Sequence, residues 1–353
     1  MPELVEVERF RRMLLPLVCT SRSKKKGAGQ KLVIETPSPT PPKSFPTVCE
    51  LNEISKYYTV KDVLRKGKLL RVDLESDKRE GRYLFLHMGM TGRISSPGDV
   101  PKLESLRGGD SFPPPHTHLI LKSNGHVVAF SDPRRFGKVV LCSTSENEFD
   151  DLAPDALDSP GTLEGIVGKR KGIKALLLDQ KAVVSGVGNW IADEILYQSQ
   201  MHPDQSMLSS KERDVICDKL RMVLNVGIDC IADGWEDGLP ADWIFHRRWS
   251  KSKGGVIKDA KGRRVTWIES GGRTSAIVPS IQKLKSRKRE IKPKKEMNDA
   301  KKRKRRDVLG GGKTAKMKGG TKAGSTEEAI KKKSRVSSNV RAAGTRRSQR
   351  LSK

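Results

Sequence analysis

The chain has 353 residues, enough for two or three domains, and carries 70 Lys and Arg against 42 Asp and Glu, a formal net charge of +28. No run approaches the ~18 consecutive apolar residues of a membrane span, and Glu3, Glu6 and Glu8 stand where a secretory leader would be positive. Five cysteines without a close pair (Cys19, Cys49, Cys142, Cys217, Cys230) argue against a disulfide framework and fit reduced thiols inside a cell.

The chain opens on Met1-Pro2-Glu3-Leu4. Proline at position 2 permits removal of Met1, which leaves a free secondary amine beside a carboxylate. An α-amino group titrates near pKa ~8, far below lysine, and so is available as a nucleophile near neutrality. Attack by a proline nitrogen on a sugar aldehyde carbon gives an iminium, a permanent cation that draws electrons and suits elimination. The simpler reading of Pro2 alone is a helix start, since proline favours the first helical position.

Helical spacing of Leu4, Val7, Phe10 or Arg11, and Leu14 predicts an amphipathic helix over 3–15, stopped by Pro16. Residues 20–47 read as a loop-bearing insertion around Leu32-Val33-Ile34. Strand patterns follow at 68–74, 83–87, 118–122, 127–131 and 138–142, with Ser123-Asn124-Gly125 as a hairpin turn. A Pro/Gly-rich loop covers 97–117. Residues 1–149 thus read as a β-sandwich with one N-terminal helix. Helical patterns then take over across 150–239, at 174–179, at 190–199, and from the Ser209-x-x-Glu212 capping box to about 233. Val215, Ile216, Leu220, Val223, Leu224 and Ile231 give the last helix its apolar face. Short strands return over 240–282. The class is α+β, without internal repeats.

Residues 283–353 hold 27 Lys and Arg, 6 Asp and Glu and no aromatic residue, which is +21 of the total charge. Such a segment cannot bury enough apolar surface to offset its chain entropy, so a disordered basic tail is expected. Its simplest partner is a polyanion, with nucleic acid or chromatin first and repair proteins next. The run Lys301-Lys302-Arg303-Lys304-Arg305-Arg306 also reads as a nuclear import signal.

Several short constellations carry chemistry. Gly186-Val187-Gly188-Asn189 lies between two helices with Asn189 placed to cap the second; it suits a backbone phosphate contact and equally a tight turn. Asp132-Pro133-Arg134-Arg135-Phe136-Gly137 offers guanidinium groups beside an aromatic wedge for duplex DNA, or a surface ion pair with a half-buried ring. In His87-Met88-Gly89-Met90-Thr91-Gly92, Met90 is either an exposed wedge or core filler. Lys66-Gly67-Lys68 is a phosphate clamp or a charged turn.

Taken together and in this order, these segments resemble the formamidopyrimidine-DNA glycosylase and endonuclease VIII family of base-excision repair enzymes. The matching stretches are 1–6, 65–70, 87–92, 132–137, 173–174, 186–194 and Gly271-Gly272-Arg273-Thr274. The resemblance implies a helix-two-turn-helix DNA-binding domain at 150–239 and a finger at 240–282. It implies a bifunctional glycosylase and β,δ-lyase acting on damaged double-stranded DNA as a monomer, without metal or organic cofactor. Pro2 would be the Schiff-base nucleophile and Glu3 the acid/base that opens the sugar, with Glu6 and Glu194 lining the site. Lys68 would hold phosphate near the lesion. Met90, Arg134 and Phe136 would fill the gap left by an everted nucleotide, at the few kcal/mol that eversion costs. Lys174 and Asn189 would be the phosphate contacts of the helix-two-turn-helix unit, and Arg273 the DNA-binding arginine of the finger.

The chain departs from the family pattern in three places. Val5 replaces a usual second proline. Residues 240–282 contain no cysteine, so the four-ligand zinc finger of bacterial members cannot form. The segment resembles the zincless finger of some eukaryotic members, with Trp243, Phe245 and Trp267 expected to pack in place of the metal. Little room remains between Ile231 and Trp243 for the loop that covers 8-oxoguanine in bacterial members. That implies weak activity on this base and better activity on ring-opened purines, oxidised pyrimidines, hydantoins and abasic sites. With no presequence ahead of Pro2, the nucleus is the expected location.

Overall fold

The computed structural model describes residues 2–19, 31–38, 42–99, 111–159, 163–230, 238–252 and 254–285. The tail beyond 285, and with it the expectations of disorder and of an import signal, lies outside them. So do most of the loop at 97–117 and the segment that follows Cys230.

Helix α1 (Leu4–Leu14) opens the chain, and Pro16 tightens its end into a 3-10 turn over Leu15–Leu17. Two four-stranded antiparallel sheets follow. One has the order β2 (Thr59–Lys66), β3 (Leu69–Glu75), β4 (Arg82–His87), β8 (Lys138–Ser143). The other has the order β1 (Val33–Glu35), β6 (Thr117–Ser123), β7 (His126–Ser131), β5 (Arg93–Ser95). Alternate residues face inward, so Leu70, Val72 and Leu74 of β3 share one core with Leu119 and Leu121 of β6 and with Val128 and Phe130 of β7. Asn124 and Gly125 take φ of 51° and 77° between β6 and β7, the two left-handed residues that the Asn-Gly hairpin signal requires.

Three elements of this sandwich differ from the sequence reading. The apolar triplet in the 20–47 insertion is edge strand β1, paired Val33 to Lys122 and Glu35 to Ile120. Helix α2 (Val48–Tyr57) was not expected, although Thr47 and Glu50 form its capping box. Strand β2 escapes period-two reading because a bulge between Val60 and Asp62 breaks its alternation.

The second half carries α3 (Ile173–Leu177), α4 (Asn189–Gln198) and α5 (Ser210–Asp229), the last opened by the expected Ser209–Glu212 box. Ile216, Leu220, Val223 and Leu224 face the core as expected, whereas Val215 is 43% exposed. Helix α1 belongs to both halves. Val7, Phe10 and Leu14 enter the sandwich core, while Leu4 and Val5 enter the helical core beside Trp190, Ile191 and Val223.

A short helix α6 (Phe245–Arg248) leads to the hairpin of β9 (Thr266–Ser270) and β10 (Arg273–Ile277). Its core is Ile244, Val265, Ala276 and Val278 under Tyr197, with Trp267 half-buried against them. Trp243 and Phe245, expected there, pack into the helical core instead. The turn before β9 is tied by Asp259, which accepts from the Tyr197 hydroxyl at 3.1 Å, Arg263 Nε at 2.7 Å and the amides of Lys261 and Arg263. One histidine and no cysteine occur over 240–282, so the residues present do not fit a zinc ion. The fold continues past 282: Gln282 donates to Met201 O at 3.0 Å, and Lys285 pairs with Glu212.

Candidate active site

Three segments meet at the head of α1. Pro2 is buried, and the next amide, of Glu3, donates to Glu6 Oε2 at 3.0 Å. Glu3 projects to the start of α4, where its two carboxylate oxygens accept from Trp190 N at 2.9 Å and Ile191 N at 3.0 Å. These are donors that a helix leaves unpaired at its N-terminus, so a residue 187 positions away caps α4. Asn189, expected as that cap, is the first residue of the helix instead, and Gly188 precedes it. A Cβ on Gly188 would lie 2.1 Å from Glu3 Cδ, which explains why the helix start is bare. The Trp190 indole completes the contact by donating to Glu6 Oε1 at 3.1 Å.

The third segment is the β2–β3 hairpin. Lys68 Nζ donates to Val187 O at 2.8 Å, in the same turn that begins α4. Its neighbours hold it there: Asp155 accepts from Gly67 N at 2.5 Å and from Arg65 Nη1 at 2.6 Å, and Arg65 also pairs with Glu8 of α1. Neither Arg65 nor Asp155 was singled out in the sequence. Both are 5% or less exposed at the side chain, where an ion pair fastens hairpin, helix and turn together.

Burial sets the electrostatics. It pushes the Glu3 carboxyl above its ordinary value, opposed by Lys68 and by the two α4 amides. Burial and then the charge of Glu3 raise Glu6 to about 7. Burial lowers the Lys68 ammonium, with Glu3 and Glu6 opposing and Arg273 adding to the effect. A pair of carboxyls of which one retains a proton near neutrality, beside an amine and an ammonium, can both accept and return a proton.

Glu194 lies apart from this cluster in its bonding. It is fully buried on α4 and accepts from Phe245 N at 3.0 Å and Gln198 Nε2 at 2.8 Å. Burial raises it from 4.5 to about 8. The folded protein therefore keeps a proton that the unfolded chain releases. Stability from this group is full below pH 4.5 and is lost as pH rises through about 8. Replacing Glu194 by Gln is expected to flatten the decline of the melting temperature across that window, and an unchanged pH slope would contradict the assignment.

The residues expected to contact DNA separate. Arg273 is exposed at the hairpin turn. Asn189 is half-buried and donates to Thr274 O at 3.1 Å. Lys174 is fully buried, with Nζ 2.7 Å from Asp193 and 2.8 Å from Ser275 Oγ. Its ammonium ties α3 to the finger and has no exposed surface to offer a phosphate, which corrects the expectation for its side chain. Met90 is half-buried, Phe136 is 53% exposed, and the exposed Arg134 guanidinium lies 4.8 Å from the Phe136 ring centre.

A two-sheet sandwich joined through one helix to a helical unit and a β-hairpin, with its N-terminus buried at the joint, belongs to the class of helix-two-turn-helix DNA glycosylases. Residues 1–139 match the formamidopyrimidine-DNA glycosylase N-terminal domain, and 152–237 match the H2TH domain of the same enzymes. A formamidopyrimidine-DNA glycosylase of Arabidopsis thaliana is 34% identical over 321 residues, covering 84% of this chain and 77% of the relative. One from Gluconobacter oxydans is 29% identical, covering 68% and 88%. Among solved structures, Lactococcus lactis Fpg in complex with DNA containing an abasic site superposes with a TM-score of 0.58 at 23% identity, covering 80% of this chain and 99% of that one. MutM with DNA containing carbocyclic 8-oxo-G gives 0.56, covering 80% and 100%. The chain belongs to the formamidopyrimidine-DNA glycosylase family.

Proposed function

We infer that the protein is a bifunctional DNA glycosylase and AP lyase of base-excision repair, acting on damaged double-stranded DNA. Family membership carries the activity, and the convergence of Pro2, Glu3, Glu6 and Lys68 supports the mechanism. Once Met1 is removed, the Pro2 nitrogen attacks C1′ of the damaged nucleotide. The base leaves with a proton, and the sugar opens to an iminium on Pro2. Loss of the proton at C2′ then expels the 3′ phosphate, and a second elimination expels the 5′ phosphate. Glu3 and Glu6, which share bonds with α4, exchange the protons, and Lys68 steadies a phosphate.

The division into a catalytic sandwich at 1–149, a helix-two-turn-helix domain at 150–239, a finger at 240–282 and a basic tail is part of the same proposal. So is a nuclear location, supported by the basic run at 301–306.

Borohydride reduces an iminium to a stable amine. Incubation with a duplex containing an abasic site is expected to leave a protein–DNA adduct on a denaturing gel. Absence of an adduct, with Met1 shown to be removed and DNA bound, would overturn the catalytic reading in favour of a DNA-binding protein. Truncation after Lys285 preserves the ordered contacts of Gln282 and Lys285 and removes a net charge of +19. Weaker non-specific binding with a flatter salt slope is expected, because fewer counterions are released; identical slopes would exclude a clamp role for the tail.

A further inference from the structure

The loop that carries Met90 leaves β4 for β5, and the loop that carries Arg134 and Phe136 leaves β7 for β8. The two loops therefore pass between the sheets in opposite directions, side by side: His87 pairs with Lys138 at one end and Arg93 with Ser131 at the other. Between them lies Asp132, with no exposed surface. Its Oδ2 accepts from Gly137 N at 2.7 Å, and its Oδ1 accepts from Arg134 N at 3.2 Å, which fixes its own loop. The same Oδ1 accepts from Thr91 Oγ1 at 2.5 Å, which reaches into the other loop, one residue from Met90. Backbones touch as well. Gly89 has φ of 59°, and a Cβ there would stand 2.5 Å from the Phe136 carbonyl carbon.

We propose that Asp132 and Thr91 are positioning residues that join the two loops into one rigid wedge, so that Met90, Arg134 and Phe136 meet DNA as a single preformed unit. The inference rests on the glycosylase reading above. A buried carboxylate shared by two loops costs desolvation unless its donors stay in place, so it holds both loops in one arrangement. Separate loops would each have to be ordered on entering the duplex. A joined wedge has lost that freedom at folding, and insertion then opposes only the unstacking of bases. Arg135 supports this arrangement, because its φ of 57° is held by the bonds on either side of it.

The bond between loops is removable without disturbing the others. Thr91→Val deletes the donor and leaves both Asp132 bonds within its own loop. Two substrates separate insertion from chemistry: a duplex containing a ring-opened purine, and a single-stranded oligonucleotide with a preformed abasic site, from which no base need be everted. Thr91→Val is expected to slow single-turnover excision from the duplex about tenfold, and cleavage of the single strand less than about twofold. Thr91→Ser, which keeps the hydroxyl, is expected to restore the duplex rate. Combining Thr91→Val with Phe136→Ala is expected to cost less than the sum of the two, since a wedge already loosened has less to lose. Equal loss on both substrates, no loss on either, or failure of the serine to rescue would overturn the proposal. A wild-type protein inactive on both substrates would sink the glycosylase reading itself, an outcome distinct from an active enzyme indifferent to Thr91.

Discussion

Pro2→Gly is expected to lose the borohydride-trapped adduct and to slow strand cleavage at an abasic site by about 10³-fold or more, roughly 4 kcal/mol of barrier, while DNA affinity stays within a few-fold. Glycine in place of Pro2 still presents an amine, so the comparison isolates what the ring contributes. A secondary amine gives an iminium with no proton to lose, whereas a primary amine gives an imine that must hold a proton to draw electrons. The buried position of Pro2 sharpens the difference, since the surrounding carboxylates already compete for a proton. A variant that keeps full cleavage would mean that the ring contributes nothing; if blocking the terminal amine then left cleavage intact as well, the nucleophile would lie elsewhere, and the half-buried Lys68 would be the next amine to test.

Gly188→Ala is expected to reduce excision and elimination together by about 10²- to 10³-fold, with a stability cost of only ~1–3 kcal/mol, the usual range for forcing a methyl into a packed site. The added Cβ would fall 2.1 Å from Glu3 Cδ and 2.4 Å from Glu3 Oε1. Glu3 would have to swing away, which strips Trp190 N and Ile191 N of their acceptor and carries the carboxyl off the Pro2 side. Helix propensity plays little part, because Gly188 is the N-cap with extended backbone, and its carbonyl can still accept from Ala192 N with a methyl in place. Measuring cleavage beside thermal unfolding separates the two effects. An active, well-folded Gly188→Ala protein would show that this placement of Glu3 is needed neither to cap α4 nor for catalysis.

The residues proposed to act at the site were legible in the sequence to the extent that short motifs carry them: Pro2-Glu3, Gly67-Lys68, Met90, and the Arg134–Phe136 group each occur in a local pattern with a chemical sense. What holds them was not legible. Glu3 caps a helix 187 residues later, and Asp155 reaches 88 residues back to Gly67. No window along a chain reports such pairs. The strands with clean alternation were readable, whereas bulged β2 and the three-residue β1 and β5 offered no sustained period. The capping box of α2 was a usable signal, but the helix buries only Leu51 and Ile54 and so offers a short apolar stripe. Lys174 shows the limit from the other side. A lysine in a family motif invites a phosphate, yet Asp193 at 2.7 Å and full burial assign its charge to holding the finger.

Helix α1 has one more consequence. Its first turn is buried among the helices and its last turns in the sandwich, so the proposed nucleophile has no place to sit until both halves exist. A nascent or partly melted molecule therefore carries its amine as an ordinary peptide terminus, without Glu3, Glu6 and Lys68 held around it to carry an attack through to elimination. On the proposed mechanism, lyase activity is switched on by the completion of folding, and its loss on heating should track the joint collapse of the two halves more faithfully than the melting of either.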